Sequence, residues 1–179
     1  LPFIHNIALA ILGPEEPELT LRQGRILFQH NVPLIADPGQ VISAFSRSQV
    51  RELLSLARYL VINHHEFEVL KTNGGVTDEE VFEQVPEVAL TRGDKGVAIY
   101  SREGICHVDA VPGVKVNEVT GCGDAFRAGY AYGILNKLNL KERGQVGCIM
   151  AARNLENPET QRYRITAAEL AILRTTIYE

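Results

Sequence analysis

Short apolar runs in the first half of the chain alternate with stretches in which apolar residues recur at helical spacing. The apolar runs have the length of buried strands and lie at 7–12, 32–37 and 58–63. The first two runs end where glycine and proline stand together, a combination that stops a strand. The stretches with helical spacing lie at 17–29, 46–57, 66–72 and 77–85. This alternation predicts a parallel sheet with crossover helices.

The pattern changes after residue 87. Three short apolar stretches, joined by turn residues, predict strands at 88–91, 97–100 and 106–111. Their short connections favour an antiparallel edge added to the parallel sheet. Helical spacing then dominates at 124–136, 140–156 and 166–176. We find no internal repeat, low-complexity tract or linker, so the pattern predicts one α/β domain.

Composition and charge exclude several classes of protein. The chain has 179 residues, of which 45% are hydrophobic, enough for one substantial core. Its net charge is −4 and it has no block of Lys and Arg, so we expect no nucleic-acid interface. No apolar stretch is long enough to span a membrane. Cys106, Cys122 and Cys148 are scattered without C-x-x-C spacing, which predicts reduced thiols and a cytoplasmic protein.

The chemistry of the chain is concentrated in one short run, Thr120-Gly121-Cys122-Gly123-Asp124. Its two glycines allow a sharp turn, and the following residues have helical spacing. A helix that begins here presents unpaired N–H groups and the positive end of its dipole, which together favour an anion. A carboxylate beside a phosphate is unfavourable, so Asp124 suits a base that reaches a hydroxyl next to a phosphoryl group. An ordinary helix cap is the alternative interpretation.

This run, continued by Phe126, Arg127, Ala128 and Gly129, resembles the T-G-A-G-D-x-F-x-A-G signature of the ribokinase-like (PfkB) carbohydrate and nucleoside kinases. The resemblance implies a ribokinase-like parallel sheet with flanking helices and an antiparallel edge. It also implies that Asp124 is the catalytic base and that an anion hole is formed by the amides of Gly121, Cys122, Gly123 and Asp124. Cys122 stands where the family usually has a smaller residue.

A second departure from the family concerns a cation. Glu118 stands where the family usually has Asp, close before Thr120. The resemblance implies a monovalent-cation site, such as one for K⁺, with Glu118 and Thr120 as its ligands. The Glu118 side chain is one methylene longer than the family's Asp.

Two earlier motifs are similar to the family's and occur in the family's order. Asn63-His64-His65-Glu66 resembles its N-x-x-E motif, which implies that Asn63 contacts phosphate and that Glu66 organises Mg²⁺. A helix-opening glutamate favoured by the dipole is the alternative. The 91–96 segment resembles the family's T-x-G-x-x-G nucleotide loop, with Thr91, Gly93 and Gly96 as contacts to ATP. A plain hairpin turn explains the same glycines.

Two further stretches leave their meaning open. The small residues of 147–154 suit either an adenine ring or close helix packing. Residues 160–164 resemble a tail of the bacterial adenosine-kinase-like members of the family.

The resemblance covers the second half of the family's kinases. We therefore expect residues 1–179 to be the C-terminal, nucleotide-binding and catalytic portion of a single kinase domain. The N-terminal part and the lid, which hold most of the acceptor pocket, have no counterpart here. Such a portion is expected to be inactive and poorly soluble by itself, because strands near 7–12 lack neighbours.

The function implied by the resemblance is ATP-dependent phosphorylation of a hydroxymethyl group on a sugar or nucleoside, with Mg²⁺ as cofactor. A vitamin or hydroxymethylpyrimidine kinase of the same fold is an alternative within enzymes. A catalytically silent nucleotide-binding or assembly module is the alternative from another class. The family admits a homodimer. A dinucleotide-binding Rossmann domain is disfavoured because the glycine motif comes late and lacks the G-x-G-x-x-G form.

Overall fold

A computed structural model of the chain describes residues 3–159 and 163–179. Its strands are β1 Ala10–Leu12, β2 Leu34–Ala36, β3 Tyr59–Asn63, β4 Glu87–Thr91, β5 Val97–Ser101 and β6 Gly104–Val108. Its α-helices are α1 Pro17–Gln29, α2 Arg47–Leu56, α3 His64–Gly74, α4 Asp78–Gln84, α5 Cys122–Leu135, α6 Leu140–Glu156 and α7 Ala167–Tyr178. Short 3-10 helices lie at Ile4–Asn6, Gly39–Ala44 and Gly93–Lys95.

The six strands form one sheet in the order β1-β2-β3-β4-β5-β6. Strands β1 to β4 pair in parallel, each connected to the next through helices. Strands β5 and β6 are neighbours separated only by Arg102 and Glu103. A parallel pair requires a much longer crossover, so this connection makes them antiparallel. The predicted α/β fold with an antiparallel edge is therefore confirmed.

The described chain divides into two compact units. One contains the residues up to Arg92 together with Ile99–Ile105, and the other contains Gly93–Ala98 and Cys106–Glu179. The core of the first unit is formed by apolar residues of β1–β4 and the helices α1–α4, including fully buried Leu34, Leu60 and Leu70. In the second unit, α6 and α7 contribute Val146, Ile149 and Leu170 to a smaller core.

The predicted bounds of three elements differ from the observed bounds. The strand predicted at 7–12 begins only at Ala10, because β1 exists only where it pairs with β2, from Ala10↔Leu34 to Leu12↔Ala36. The strand predicted at 106–111 lies at Gly104–Val108, directly after the turn. Helix α5 begins at Cys122 instead of 124, so its first turn includes the glycine motif.

Two further sequence predictions concern solvent and redox state. Within residues 3–159 and 163–179, no helix is both long and apolar enough to cross a membrane. Cys106, Cys122 and Cys148 are free thiols. Residues 160–162, which begin the tail discussed above, lie outside the described residues.

Candidate active site

Helix α5 begins without a side-chain cap. Its N-cap residue Gly121 has φ +80° and ψ 1°, a left-handed conformation that strains any residue with a Cβ. In the part of the chain that the structure describes, the other α-helices begin with a side chain that accepts a first-turn amide. The glycine turn of α5 supplies no such acceptor, so the helix leaves its first-turn amides to an external partner.

The anion hole predicted from four consecutive amides needs one correction. The Cys122 N–H donates to the carbonyl of Val119 at 3.2 Å, which closes the turn before the helix. The Ala125 N–H donates to the Gly121 carbonyl at 2.9 Å, as the regular ladder requires. The amides of Gly123 and Asp124 lie between these two and have no intrahelical acceptor. In the other α-helices described here, the N-cap side chain accepts the amide at the position that Asp124 holds in α5.

Asp124 lies at the solvent-exposed start of α5, with 66% of its side chain accessible. Its Oδ1 accepts a hydrogen bond from Nη2 of Arg127 at 2.5 Å, one helical turn along. The Arg127 side chain is only 18% exposed, and its Nη1 lies 3.1 Å from the position that a Cβ on Gly123 would take. The guanidinium therefore lies over the same turn as the open amides. The three-residue spacing of Asp124 and Arg127 is the sequence signal that could have predicted this pair, because residues three apart are neighbours on a helix surface.

Hydrogen bonds to the N–H, the hydroxyl and the carbonyl of Thr120 hold the loop before α5. Glu118 Oε1 accepts from the Thr120 N–H at 2.8 Å and from the Thr120 hydroxyl at 2.7 Å. These bonds hold the pKa of Glu118 below its ordinary value. Asn154 of α6 donates to the Thr120 carbonyl at 2.8 Å, and the Asn154 side chain is buried. Glu118 thus has a structural role in this loop.

Asn117 extends the same contact to the end of α6. Its side-chain amide donates to the Glu156 carbonyl at 2.6 Å, and its backbone N–H donates to the Leu155 carbonyl at 2.8 Å. The last carbonyls of a helix lack intrahelical donors, so these bonds fix the loop to α6. The sequence analysis did not predict the roles of Asn117 and Asn154. Asn117 lies 39 positions from Glu156 and Asn154 lies 34 positions from Thr120, so no local pattern connects either pair.

The Cys122 thiol contributes no charge to this helix start. Burial raises the pKa of Cys122, and burial raises the pKa of Cys148 to about 12. A protonated thiol is a poor nucleophile. The departure from the family at position 122 therefore adds no charge to the start of α5.

Helix α5 packs closely against α6 through small residues. A Cβ on Gly147 would lie 2.6 Å from the Phe126 ring, and one on Gly129 would lie 2.8 Å from the Val146 carbonyl. Neither position tolerates a side chain without movement of its neighbour. The small residues near 147 are therefore explained by helix packing, the second of the two interpretations.

The start of α3 has the opposite character. Asn63 Oδ1 accepts the Glu66 N–H at 2.9 Å, and Glu66 Oε2 accepts the Asn63 N–H at 3.2 Å. These two bonds form a capping box, so Glu66 opens the helix as the alternative interpretation of the N-x-x-E motif held, with hydrogen bonds that the sequence analysis did not predict. The pairing of β3 with β4 places Asn63 opposite Thr91, whose hydroxyl donates to the Ile62 carbonyl at 3.5 Å. The structure thus brings Asn63, Glu66 and Thr91 together where two parallel strands end.

The two glycines of the predicted nucleotide loop have different environments. Gly93 and Gly96 both have positive φ, +59° and +75°. A Cβ on Gly96 would lie 2.1 Å from the Val108 carbonyl. A Cβ on Gly93 would meet no heavy atom of another part of the chain within 4 Å. Glycine at 96 is therefore required by backbone packing, and only Gly93 has room for a ligand to approach.

The predicted site residues are divided between the two units. Asn63, Glu66 and Thr91 belong to the first, and the second holds Gly93, Gly96, Glu118, Thr120 and the run 121–124. Over residues 3–159 and 163–179, no three His, Cys, Asp or Glu side chains gather as a metal site. Mg²⁺ keeps several waters and takes few protein ligands, so a lone carboxylate such as Glu66 fits its chemistry.

Comparisons with known proteins identify relatives of this chain. A nucleoside kinase of Methanothermobacter thermautotrophicus is 30% identical over 151 residues, 84% of this chain and 48% of the relative. One of Methanocaldococcus jannaschii is 26% identical over 147 residues, 82% of this chain and 48% of the relative. The solved Burkholderia thailandensis nucleoside kinase in complex with inosine has a TM-score of 0.93 and 32% identity, over 97% of this chain and 58% of that one.

The chain spans about half the length of the curated relatives it matches. The pfkB family carbohydrate kinases match it over residues 5–166, nearly all of its length. The chain therefore belongs to the pfkB family of carbohydrate kinases.

Proposed function

We propose that the natural protein containing this chain is a kinase that transfers the γ-phosphoryl group of ATP to a hydroxymethyl group of a nucleoside or sugar. Residues 1–179 are proposed as the C-terminal, nucleotide-binding and catalytic portion of a single ribokinase-like domain. A nucleoside is the favoured acceptor, because similar chains are named nucleoside kinases and one was solved with inosine. Ribose is the second acceptor, because a ribokinase is also among the relatives.

The observation that carries this proposal is the start of α5. It presents open amides at Gly123 and Asp124 together with the exposed carboxylate of Asp124, three residues beyond the turn at Gly121. Amides at a helix start favour the phosphates of a nucleotide. A carboxylate at the same place has no value for binding an anion, and a kinase uses one as its base.

In the proposed reaction, the acceptor hydroxyl attacks the γ-phosphorus in line with the bond to the β-phosphate oxygen. The new O–P bond forms as that bond breaks, ADP leaves, and the hydroxyl proton passes to Asp124. The amides of Gly123 and Asp124 stabilise the negative charge of the transferred group. Fixed dipoles and positioning of this kind supply most of the rate enhancement in phosphoryl transfer.

Glu66 is the proposed protein ligand, direct or through water, for Mg²⁺. The capping bond uses its Oε2 and leaves its other carboxylate oxygen for this role. When bound, Mg²⁺ supplies positive charge that offsets the phosphate oxygens. Glu118 and Thr120 are retained as candidate ligands for a monovalent cation, which a comparison of activity with and without K⁺ at constant ionic strength would test.

The test is ADP release by the natural full-length protein, measured with ATP and Mg²⁺ over a panel of nucleosides, ribose and hydroxymethylpyrimidine. We expect Mg²⁺-dependent release that requires a nucleoside or ribose. Phosphorylation of the pyrimidine alone would replace this proposal with the vitamin-kinase alternative. ATP binding without release for any acceptor would identify a silent nucleotide-binding module.

A further inference from the structure

The start of α5 combines two groups that oppose each other. The proposed function places ATP phosphates at the amides of Gly123 and Asp124, and Asp124 itself carries a negative charge there. Two like charges a few ångströms apart repel each other, and the solvent near a protein surface screens this repulsion only in part. An uncompensated carboxylate would therefore weaken the binding of the nucleotide that it is meant to serve.

Arg127 lies where it can remove this conflict. Its Nη2 donates to Asp124 Oδ1 at 2.5 Å, and its Nη1 lies beside Gly123. The absence of a side chain on Gly123 leaves the space that the guanidinium occupies. One cation thus contacts the base and also lies next to the residue whose amide meets the phosphates.

We propose that Arg127 is a positioning residue that compensates the charge of Asp124, so that one helix start holds both the phosphates and the base. This inference rests on the proposed function and deepens it. The guanidinium also restricts Asp124 to one orientation, because its planar fork fixes the direction of the hydrogen bond.

The environment of Arg127 differs from that of a surface ion pair with the same spacing. Arg153 and Glu156 of α6 also pair across one turn, at 3.0 Å, with 43% and 36% of their side chains exposed. Arg127 is 18% exposed, whereas its partner Asp124 is 66% exposed. The cation is therefore held by the fold, and the carboxylate is the part that remains accessible to a substrate.

A double-mutant cycle on ATP binding tests this inference in the natural full-length protein. The variants are Arg127→Gln, Asp124→Asn and the double variant, and the measurement is the ATP dissociation constant by calorimetry without acceptor. We expect Arg127→Gln to weaken ATP binding about tenfold, because the Asp124 charge is then unopposed. Asp124→Asn should not weaken it. The double variant should return to within about threefold of the wild type.

Two further variants complete the experiment. Arg127→Lys keeps the charge and should retain most of the ATP affinity while lowering kcat, since a lysine does not fix the carboxylate orientation. Arg153→Gln is the matched control, which removes an ion pair of the same spacing within α6 and should leave the dissociation constant unchanged. Melting temperatures establish that each variant is folded, and Arg127→Lys carries the test if Arg127→Gln does not fold.

The outcomes separate the inference from the function on which it rests. If the double variant binds ATP as weakly as Arg127→Gln, Arg127 does not act through Asp124 and the inference is overturned. Unchanged binding and kcat in all Arg127 variants would overturn it as well. Failure of the wild type to bind ATP would instead overturn the proposed function.

Discussion

Helices α3 and α5 both begin at predicted site residues, and they satisfy their first turns in different ways. At α3, the side chains of Asn63 and Glu66 take each other's backbone N–H groups. At α5, Gly121 turns the chain through a left-handed conformation and offers no side chain. At α3 the Glu66 amide therefore has a side-chain acceptor, whereas the corresponding Asp124 amide of α5 has none.

This difference assigns the two helix starts different parts in binding. At α3 the cap already uses the Glu66 N–H, so the groups that this helix start newly offers to a ligand are the side chains of Asn63 and Glu66. An uncapped start contributes its backbone, and a glycine there lets a phosphate approach closely. We therefore propose that α5 meets the phosphates and that Glu66 of α3 holds Mg²⁺.

The largest effect is expected at the exposed carboxylate of α5. Asp124→Asn is nearly isosteric but cannot accept the acceptor's proton, so kcat of the full-length enzyme should fall ~10²–10⁴-fold. ATP affinity should hold or improve, because a negative charge has been removed. Steady-state kinetics measures both. Glu169→Gln, which changes a carboxylate at the same position of α7, is the control, and near-normal turnover of Asp124→Asn would show that Asp124 is only a surface residue.

A smaller effect is expected at the carboxylate of α3. Glu66→Gln keeps an oxygen for the capping bond and removes the charge, so stability should change little. The Mg²⁺ concentration needed for half-maximal activity should rise about tenfold. Glu80→Gln alters the equivalent residue of the capping box of α4 and should leave the Mg²⁺ dependence unchanged. An equal response from both variants would remove Glu66 from the metal site.

The two helix starts should also differ in what a substitution does to stability. Asn63→Ala removes a side-chain cap and should lower the free energy of unfolding by ~1 kcal/mol. Gly121→Ala forces a Cβ into the left-handed region and should lower it by ~1–2 kcal/mol. Urea denaturation of the full-length protein measures both. If Gly121→Ala is neutral, the backbone at 121 is not left-handed in solution, and the open helix start is wrong.

A still smaller effect on stability is expected when acid protonates Glu142, the capping-box carboxylate at the start of α6. A hydrogen bond from the Asn139 N–H, and to a smaller extent one from Arg174, holds the pKa of Glu142 below its ordinary value of 4.5. A lowered pKa stabilises the folded protein above pH 4.5, and the stabilisation is lost as the pH falls through the folded-state value. Glu142→Gln should therefore reduce the acid sensitivity of the melting temperature, by an amount worth at most ~1 kcal/mol. Identical pH profiles for wild type and variant would contradict this contribution.

The sequence predicts the helices of this fold better than the strands. The bounds of α1 and α6 agree with the predicted 17–29 and 140–156, because spacing and caps are local signals. The short strand β1 could not be bounded in this way. Its extent is set by pairing with β2, whose residues lie more than twenty positions later.

The candidate site also contains some features that the sequence predicts and others that it does not. The glycine turn and Asp124 could be predicted, because each follows from a few adjacent residues. The contact of Asn154 with Thr120 could not, because α6 must first pack on α5 through Gly129 and Gly147. The sequence also could not decide whether Gly96 serves a ligand or the fold. Its packing reason appears only when the Val108 carbonyl lies beside it.

The most direct test of the difference between α3 and α5 is a titration of the ¹⁵N-labelled full-length protein with inorganic phosphate in the absence of Mg²⁺. Backbone amide shifts are followed at both helix starts in one experiment. The account predicts saturable shifts of the Gly123 and Asp124 amides, while the capped amide of Glu66 does not move. Saturable shifts at Glu66, with the amides of Gly123 and Asp124 unmoved, would contradict it.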